Sequence, residues 1–266
     1  MEKNIQHLDS TINYSIEGNG VTLVLLHGFC ESKNIWTDFK IPLLSKYKII
    51  AIDLPGFGKS LPGTKHTGME LMAEAVFAVL NEEQIENCYL LGHSMGGYVT
   101  LSFAEKYSER LRGIGLFHSS CFADDDAKKT VRKKVADFVL KNGSRQFVAE
   151  LFPSLFAPEY AASHKEQILM IEDIAAMLPP ESIANGSIAM SNRKDLSSFF
   201  AETYLPILII IGKKDLAIPI AVSMKMAHLP KAALICLLEQ TAHMGMLEES
   251  TKARTAIEDW ISLASV

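Results

Sequence analysis

Leu90-Leu91-Gly92-His93-Ser94-Met95-Gly96-Gly97 is the stretch that decides how this chain is read. An apolar run enters a Gly-x-Ser-x-Gly pentapeptide and leaves directly into a segment with helical periodicity. A serine held in so tight a strand-to-helix turn needs small neighbours on both flanks, because larger side chains would collide with the adjoining strand and helix. The Ser94 hydroxyl then stands at a sheet edge, above a helix N-terminus whose unpaired N–H groups favour negative charge. Composition alone yields such a pentapeptide about 0.08 times in a chain like this, so its context carries the reading more than its letters. The bland alternative is a Gly-rich turn with an incidental serine.

Working outward, short apolar runs of the same kind recur at 22–26, 48–52, 88–91, 113–117, 206–211 and 233–238. Strands that are apolar on both faces are what a parallel sheet requires when helices cover it above and below. Segments 70–80, 98–107 and 251–263 have the spacing of amphipathic helices. Residues 5–17 alternate with period two around Asp9-Ser10-Thr11 and predict a starting hairpin. The chain is therefore an α/β protein with a mostly parallel sheet.

One interval breaks the rhythm. Between Phe122 and Thr203 only helical patterns appear, notably at 126–141 and 159–178. The acidic run Asp124-Asp125-Asp126 suits a helix start. An insertion of roughly eighty residues is too large for an ordinary loop. It divides the chain into a core of 1–121 and 204–266 and a helical insertion of 122–203; the plainer option is an extension of the sheet's helical layer.

Composition sets the outer limits. The 266 residues are 48% hydrophobic and 21% charged, enough apolar surface for one generous core or two small ones. A net charge of −5 argues against a nucleic-acid partner, whose phosphates call for a basic face. The four cysteines, Cys30, Cys88, Cys121 and Cys236, are scattered without metal-like spacing and read as buried thiols. The N-terminus lacks the pattern of a signal peptide, and no apolar run is long enough to cross a bilayer, so a cytoplasmic location is expected.

A nucleophilic serine needs a base, and the base needs an orienting carboxylate. His243 follows the last predicted strand and Asp215 the penultimate one, which places both at the carboxyl edge that also carries Ser94. Taken singly, Asp215 could cap a helix and His243 could be a surface histidine. Their strand-end positions and the order Ser94, Asp215, His243 speak for a triad. Acyl transfer also needs two N–H donors for the developing oxyanion. Met95, at the head of its helix, offers one. Phe29, in Leu25-Leu26-His27-Gly28-Phe29, offers the other, unless His27-Gly28 merely opens a loop. His27, His118 and Met244 are the expected substrate contacts.

Gly58-Lys59-Ser60 imitates the end of a phosphate-binding loop, but the required first glycine would fall at Asp53. The Pro55-Gly56-Phe57-Gly58 stretch is a tight turn beyond a strand. No metal or dinucleotide motif occurs, so neither a metal nor a cofactor is expected.

At His27-Gly28-Phe29, the 53–60 segment, the Ser94 elbow, Gly212-Lys213-Lys214-Asp215 and Ala242-His243-Met244, the chain resembles the α/β-hydrolase superfamily over essentially its whole length. The resemblance implies an α/β-hydrolase fold, with a mostly parallel eight-stranded sheet flanked by helices. It makes 122–203 a helical cap over Ser94, and points to small bacterial carboxylesterases that act on an apolar acyl or alkyl ester. Haloalkane dehalogenases and epoxide hydrolases carry Asp where Ser94 stands. Menaquinone-pathway lyases commonly carry Arg where Tyr98 follows Gly96-Gly97. Cofactor-free perhydrolases typically have proline where Cys30 follows Phe29.

The implied activity is ester hydrolysis through an acyl-enzyme. Hydrolysis of a C–C, lactone or thioester bond, or a sensor that retains the triad, stays open beside it.

Overall fold

The computed structural model describes residues 1–60 and 68–264; positions 61–67 and 265–266 of the expected core segments lie outside the described residues. Eight strands form one sheet: β1 (Glu2–His7), β2 (Ser10–Glu17), β3 (Val21–Leu26), β4 (Tyr47–Ile52), β5 (Cys88–His93), β6 (Leu111–Phe117), β7 (Ile207–Gly212) and β8 (Leu234–Leu238). Their spatial order is β1-β2-β4-β3-β5-β6-β7-β8. The β1/β2 and β2/β4 pairs are antiparallel, and every later pair is parallel. Burial follows position in the sheet. The central β5 is buried at every residue, while the edge strand β1 alternates between exposed and half-buried.

Helices connect the strands. Along the chain they are α1 (Thr37–Lys40), α2 (Met69–Glu82), α3 (Met95–Tyr107), α4 (Asp126–Asn142), α5 (Ser144–Ser154), α6 (Pro158–Ser163), α7 (Lys165–Ala175), α8 (Pro180–Ser191), α9 (Ser197–Glu202), α10 (Ile220–Ala227), α11 (Gly245–Glu248) and α12 (Ser250–Leu263). Helix α3 packs on β5 and β6, and α12 on β7 and β8. Six helices, α4 to α9, lie between β6 and β7; α4 packs beside α8 and α5 beside α7. Asp125 caps α4 by accepting from Lys128 N at 2.7 Å, as the acidic run predicted.

Three local readings change. The hairpin turns at Leu8-Asp9, with Leu8 at φ 54°, because Ser10 and Thr11 already pair with His7 and Gln6. The single helical pattern at 159–178 is two helices. His164 leaves helical geometry (φ −125°, ψ 34°), and the Ser163 hydroxyl beside it donates to the carbonyls of Glu159 and Tyr160. The amphipathic pattern at 98–107 covers only part of its helix: α3 starts at Met95, the head that the elbow reading gave it, and Gly96 and Gly97 bring no apolar side chain to extend the pattern into the first turn. All four cysteines are buried free thiols. Among the described residues no helix is long and apolar enough to cross a membrane.

Candidate active site

Ser94 joins β5 to α3 with φ 49° and ψ −113°, a conformation that L-residues rarely adopt. The turn is held from outside: Ser94 N donates to Phe117 O at 2.9 Å, and the Ser119 hydroxyl donates to Ser94 O at 2.7 Å. The flanking glycines meet the steric demand foreseen in the sequence. A Cβ on Gly92 would lie 2.1 Å from Gly96 O, and one on Gly96 would lie 2.6 Å from His27 O. Such backbone strain persists only where the surroundings over-determine it.

The loops after β7 and β8 bring Asp215 and His243 together. His243 Nδ1 donates to Asp215 Oδ2 at 2.7 Å, while Asp215 Oδ1 accepts from Ala217 N at 2.8 Å and Ile218 N at 2.9 Å. Both carboxylate oxygens are thus committed, and Nε2 is left as the basic nitrogen of His243. Burial works to lower the pKa of His243, but the charge of Asp215 and its hydrogen bond outweigh this and raise it above the ordinary 6.5. The His243 loop is anchored through backbone: His243 N donates to Leu155 O at 2.9 Å, just beyond α5. Across the elbow, His93 Nε2 donates to His243 O at 2.8 Å, which ties His243 to the residue preceding Ser94.

Met95 is the first residue of α3, where an N–H has no intrahelical acceptor. Phe29 follows the buried β3 end, and its ring packs edge-on against Phe57 and Phe147 at centroid distances of 6.1 and 6.2 Å. A cavity of about 480 Å³ adjoins this loop. Cys30, Glu31, Met170, Ile174 and Leu178 line it, and Ser94 does not.

Residues 21–166, more than half of the chain, match the family described as alpha/beta hydrolase fold. The chain belongs to the α/β-hydrolase fold family. It is 27% identical over 249 residues to a pimeloyl-[acyl-carrier protein] methyl ester esterase of Aeromonas hydrophila, covering 92% of this chain and 96% of that one. A thermophilic esterase from Thermogutta terrifontis superposes with a TM-score of 0.94 at 26% identity, over 100% of both chains. The enol-lactonase of Burkholderia xenovorans LB400 superposes at 0.90 with 19% identity, covering 98% of this chain and 100% of that one, a likeness of fold alone.

Within this α/β-hydrolase the three residues expected to contact substrate, His27, His118 and Met244, are all buried. His27 is wholly buried: its Nε2 accepts from Leu54 N at 2.9 Å, so Nδ1–H donates to Gly28 O at 2.8 Å and no ring nitrogen is left for a ligand. His118, at φ 49°, accepts from Gly245 N through Nε2 at 3.2 Å. Its proton therefore sits on Nδ1, which faces Asp215 Oδ2 at 3.8 Å. Burial, with His243 and His93 nearby, holds its pKa well below 6.5 and keeps the ring neutral. Met244 is fully buried. His27 and His118 share a reason: each stands immediately beyond a buried strand, where a backbone N–H of a neighbouring loop claims a ring nitrogen.

Two arginines are paired inside the protein. Arg193 is buried, pairs with Asp124 at 2.8 Å and lies 4.0 Å from the centre of the Tyr98 ring. Arg132 joins the same carboxylate at 3.1 Å. The 53–60 segment is the tight turn expected, closed by Asp53 accepting from Lys33 N at 2.6 Å and Lys59 N at 2.9 Å.

Sequence reasoning missed two carboxylates. Glu248 Oε2 accepts from Ala157 N at 2.8 Å and its Oε1 from Met244 N at 3.0 Å, joining the base loop to the segment after α5. Glu31 Oε2 accepts from Gly28 N at 2.7 Å and from His93 Nδ1 at 3.0 Å. Neither lies in a motif; the only signal for Glu31 was its place three residues after Gly28. Among the described residues no cluster of His, Cys, Asp and Glu could hold a metal ion.

Proposed function

We propose that the protein is a serine hydrolase that cleaves a small carboxylic ester through an acyl-enzyme. The observation that carries this reading is the 2.7 Å bond from His243 Nδ1 to Asp215 Oδ2, in a loop hydrogen-bonded to the Ser94 elbow. His243 Nε2 takes the proton of Ser94 Oγ as the oxygen attacks the ester carbonyl. The N–H groups of Phe29 and Met95 receive the oxyanion, and His243 returns the proton to the leaving alcohol. Water, activated by the same nitrogen, then releases the acid and regenerates Ser94. Asp215 fixes the imidazole tautomer and stabilises its cation.

Residues 122–203 act as a cap, and the half-buried Phe29 and Phe147 supply an apolar wall for the acyl or alkyl group. The esterase names carried by the Aeromonas and Thermogutta relatives support this reading. The test is steady-state and burst kinetics on a panel of p-nitrophenyl esters, thioesters and lactones, with Ser94→Ala in parallel. An ester burst that vanishes in the variant supports the proposal. Turnover confined to lactones or thioesters would move the substrate class, and equal turnover by variant and parent would remove Ser94 from the chemistry.

A further inference from the structure

His93 is surrounded by rings and has no route to solvent. Its ring centroid lies 4.9 Å from that of His243, 6.1 Å from His118 and Phe117, and 6.5 Å from Trp36. Both of its nitrogens nevertheless meet acceptors. Nε2 faces His243 O at 2.8 Å, and Nδ1 faces Glu31 Oε2 at 3.0 Å. A carbonyl can only accept, so Nε2 carries a proton; a carboxylate that already accepts from Gly28 N calls for a second proton on Nδ1. Gly28 is packed to this arrangement, since a Cβ there would lie 2.7 Å from His93 Nδ1 and 2.9 Å from Glu31 Oε1.

One chain of hydrogen bonds therefore runs from the Gly28 amide through the Glu31 carboxylate and the His93 imidazole to the backbone of His243. It touches the segments that carry Phe29, Ser94 and His243. We propose that Glu31 and His93 form a buried ion pair that acts as a positioning element, holding the Gly28-Phe29 amides and the His243 ring in register with Ser94. Burying two charges costs several kcal/mol each unless every donor and acceptor is matched. Here Glu31 Oε2 accepts from both Gly28 N and His93 Nδ1, His93 Nε2 is matched by His243 O, and the return is fixed geometry. A displacement of about 1 Å at a reacting group costs on the order of 100-fold in rate. Oxyanion donors and base act mainly in the transition state, so the loss falls on kcat and leaves KM nearly unchanged.

The inference rests on Ser94 being the nucleophile, and the experiment separates the two. The full-length parent, Glu31→Gln, His93→Phe and Ser94→Ala are compared on p-nitrophenyl acetate, with thermal melts to confirm folding. The ring nitrogens of His93 are observed by 15N NMR at pH 8. The groups that face His93 and titrate are Glu31, His243, His118 and His27, so each histidine is assigned separately.

Glu31→Gln removes the charge and, with a neutral His93, lets the amide atom at the Oε2 position serve only one of Gly28 N and His93 Nδ1, while the bond to His243 O stays; His93→Phe keeps only the ring's bulk. The expected result is two protonated His93 nitrogens in the parent and one in Glu31→Gln. His93→Phe should lose about 10- to 100-fold in kcat with KM little changed, and Glu31→Gln should lose less. A bare nitrogen on His93 in the parent at pH 8 would overturn the ion pair. A folded His93→Phe variant with the parent's kcat would overturn the positioning role. Activity retained by Ser94→Ala would instead strike at the hydrolase reading itself.

Discussion

His243 and Asp215 stand 28 residues apart in sequence, and their side chains meet at 2.7 Å with Nδ1 donating to Oδ2. The carboxylate is not free to turn, because its other oxygen accepts two backbone N–H groups from the loop that follows β7. The pair is rigid from the acid side, and His93 holds the base from the other.

Asp215→Asn keeps the size of the side chain but lets an amide N–H face Nδ1, which reverses the imidazole tautomer and buries the proton of Nε2 against Ser94. Ester turnover should fall by about 10⁴-fold in kcat. Stopped-flow kinetics on an activated ester checks it; a loss under tenfold would mean that the acid does not orient the base.

The raised pKa of His243 has a definite sign. Activity needs neutral Nε2, so kcat/KM should rise with pH through a midpoint above 6.5. In Asp215→Asn only burial remains as the main influence, and the residual activity should show a lower midpoint. Linkage runs the other way for stability. The folded state holds the His243 proton more tightly than the unfolded chain, so this contribution is full below the ordinary 6.5 and is lost as pH rises through the folded value. pH-dependent melts of parent and His243→Gln would show the difference narrowing as pH rises.

Ser94 carries backbone strain that glycine would relieve. At φ 49° and ψ −113°, Ser94→Gly should raise stability by about 1 kcal/mol while abolishing turnover. Urea denaturation of the two proteins is the measurement. A destabilised variant would mean that the Ser94 side chain is itself a structural contact.

Arg193 is a structural arginine here, paired with buried Asp124 and stacked on Tyr98. Arg193→Ala should cost about 3 kcal/mol, because it strips a buried carboxylate of one of its two cations. At temperatures where the variant stays folded, KM for neutral and for acid-bearing esters should change by the same factor. A selective rise in KM for the acid-bearing esters would place Arg193 at the substrate.

Much of this architecture is legible in the sequence. The strands at 22–26, 48–52 and 206–211 stood out because central parallel strands are buried on both faces and leave unbroken apolar runs. Gly92 and Gly96 flagged the elbow because the backbone leaves no room for a side chain there. What stayed hidden was long-range or conformational. The Glu31–His93 bond joins residues 62 positions apart, and neither has a distinctive neighbour sequence. A strand end marks His27 and His118 as near the site but cannot reveal that the N–H groups of Leu54 and Gly245 meet their ring nitrogens. The break at His164 was equally invisible, since apolar spacing continues across it while the backbone does not.

The central claim is that Ser94 is the nucleophile, and trapping the intermediate tests it most directly. The protein would be acid-quenched during turnover of an activated ester, digested, and the acylated peptide sequenced by mass spectrometry. The account predicts a single acyl group on the hydroxyl of Ser94, absent from Ser94→Ala and slow to clear in Asp215→Asn. Turnover with no acyl group on Ser94, or with one on another residue at stoichiometric yield, would contradict it.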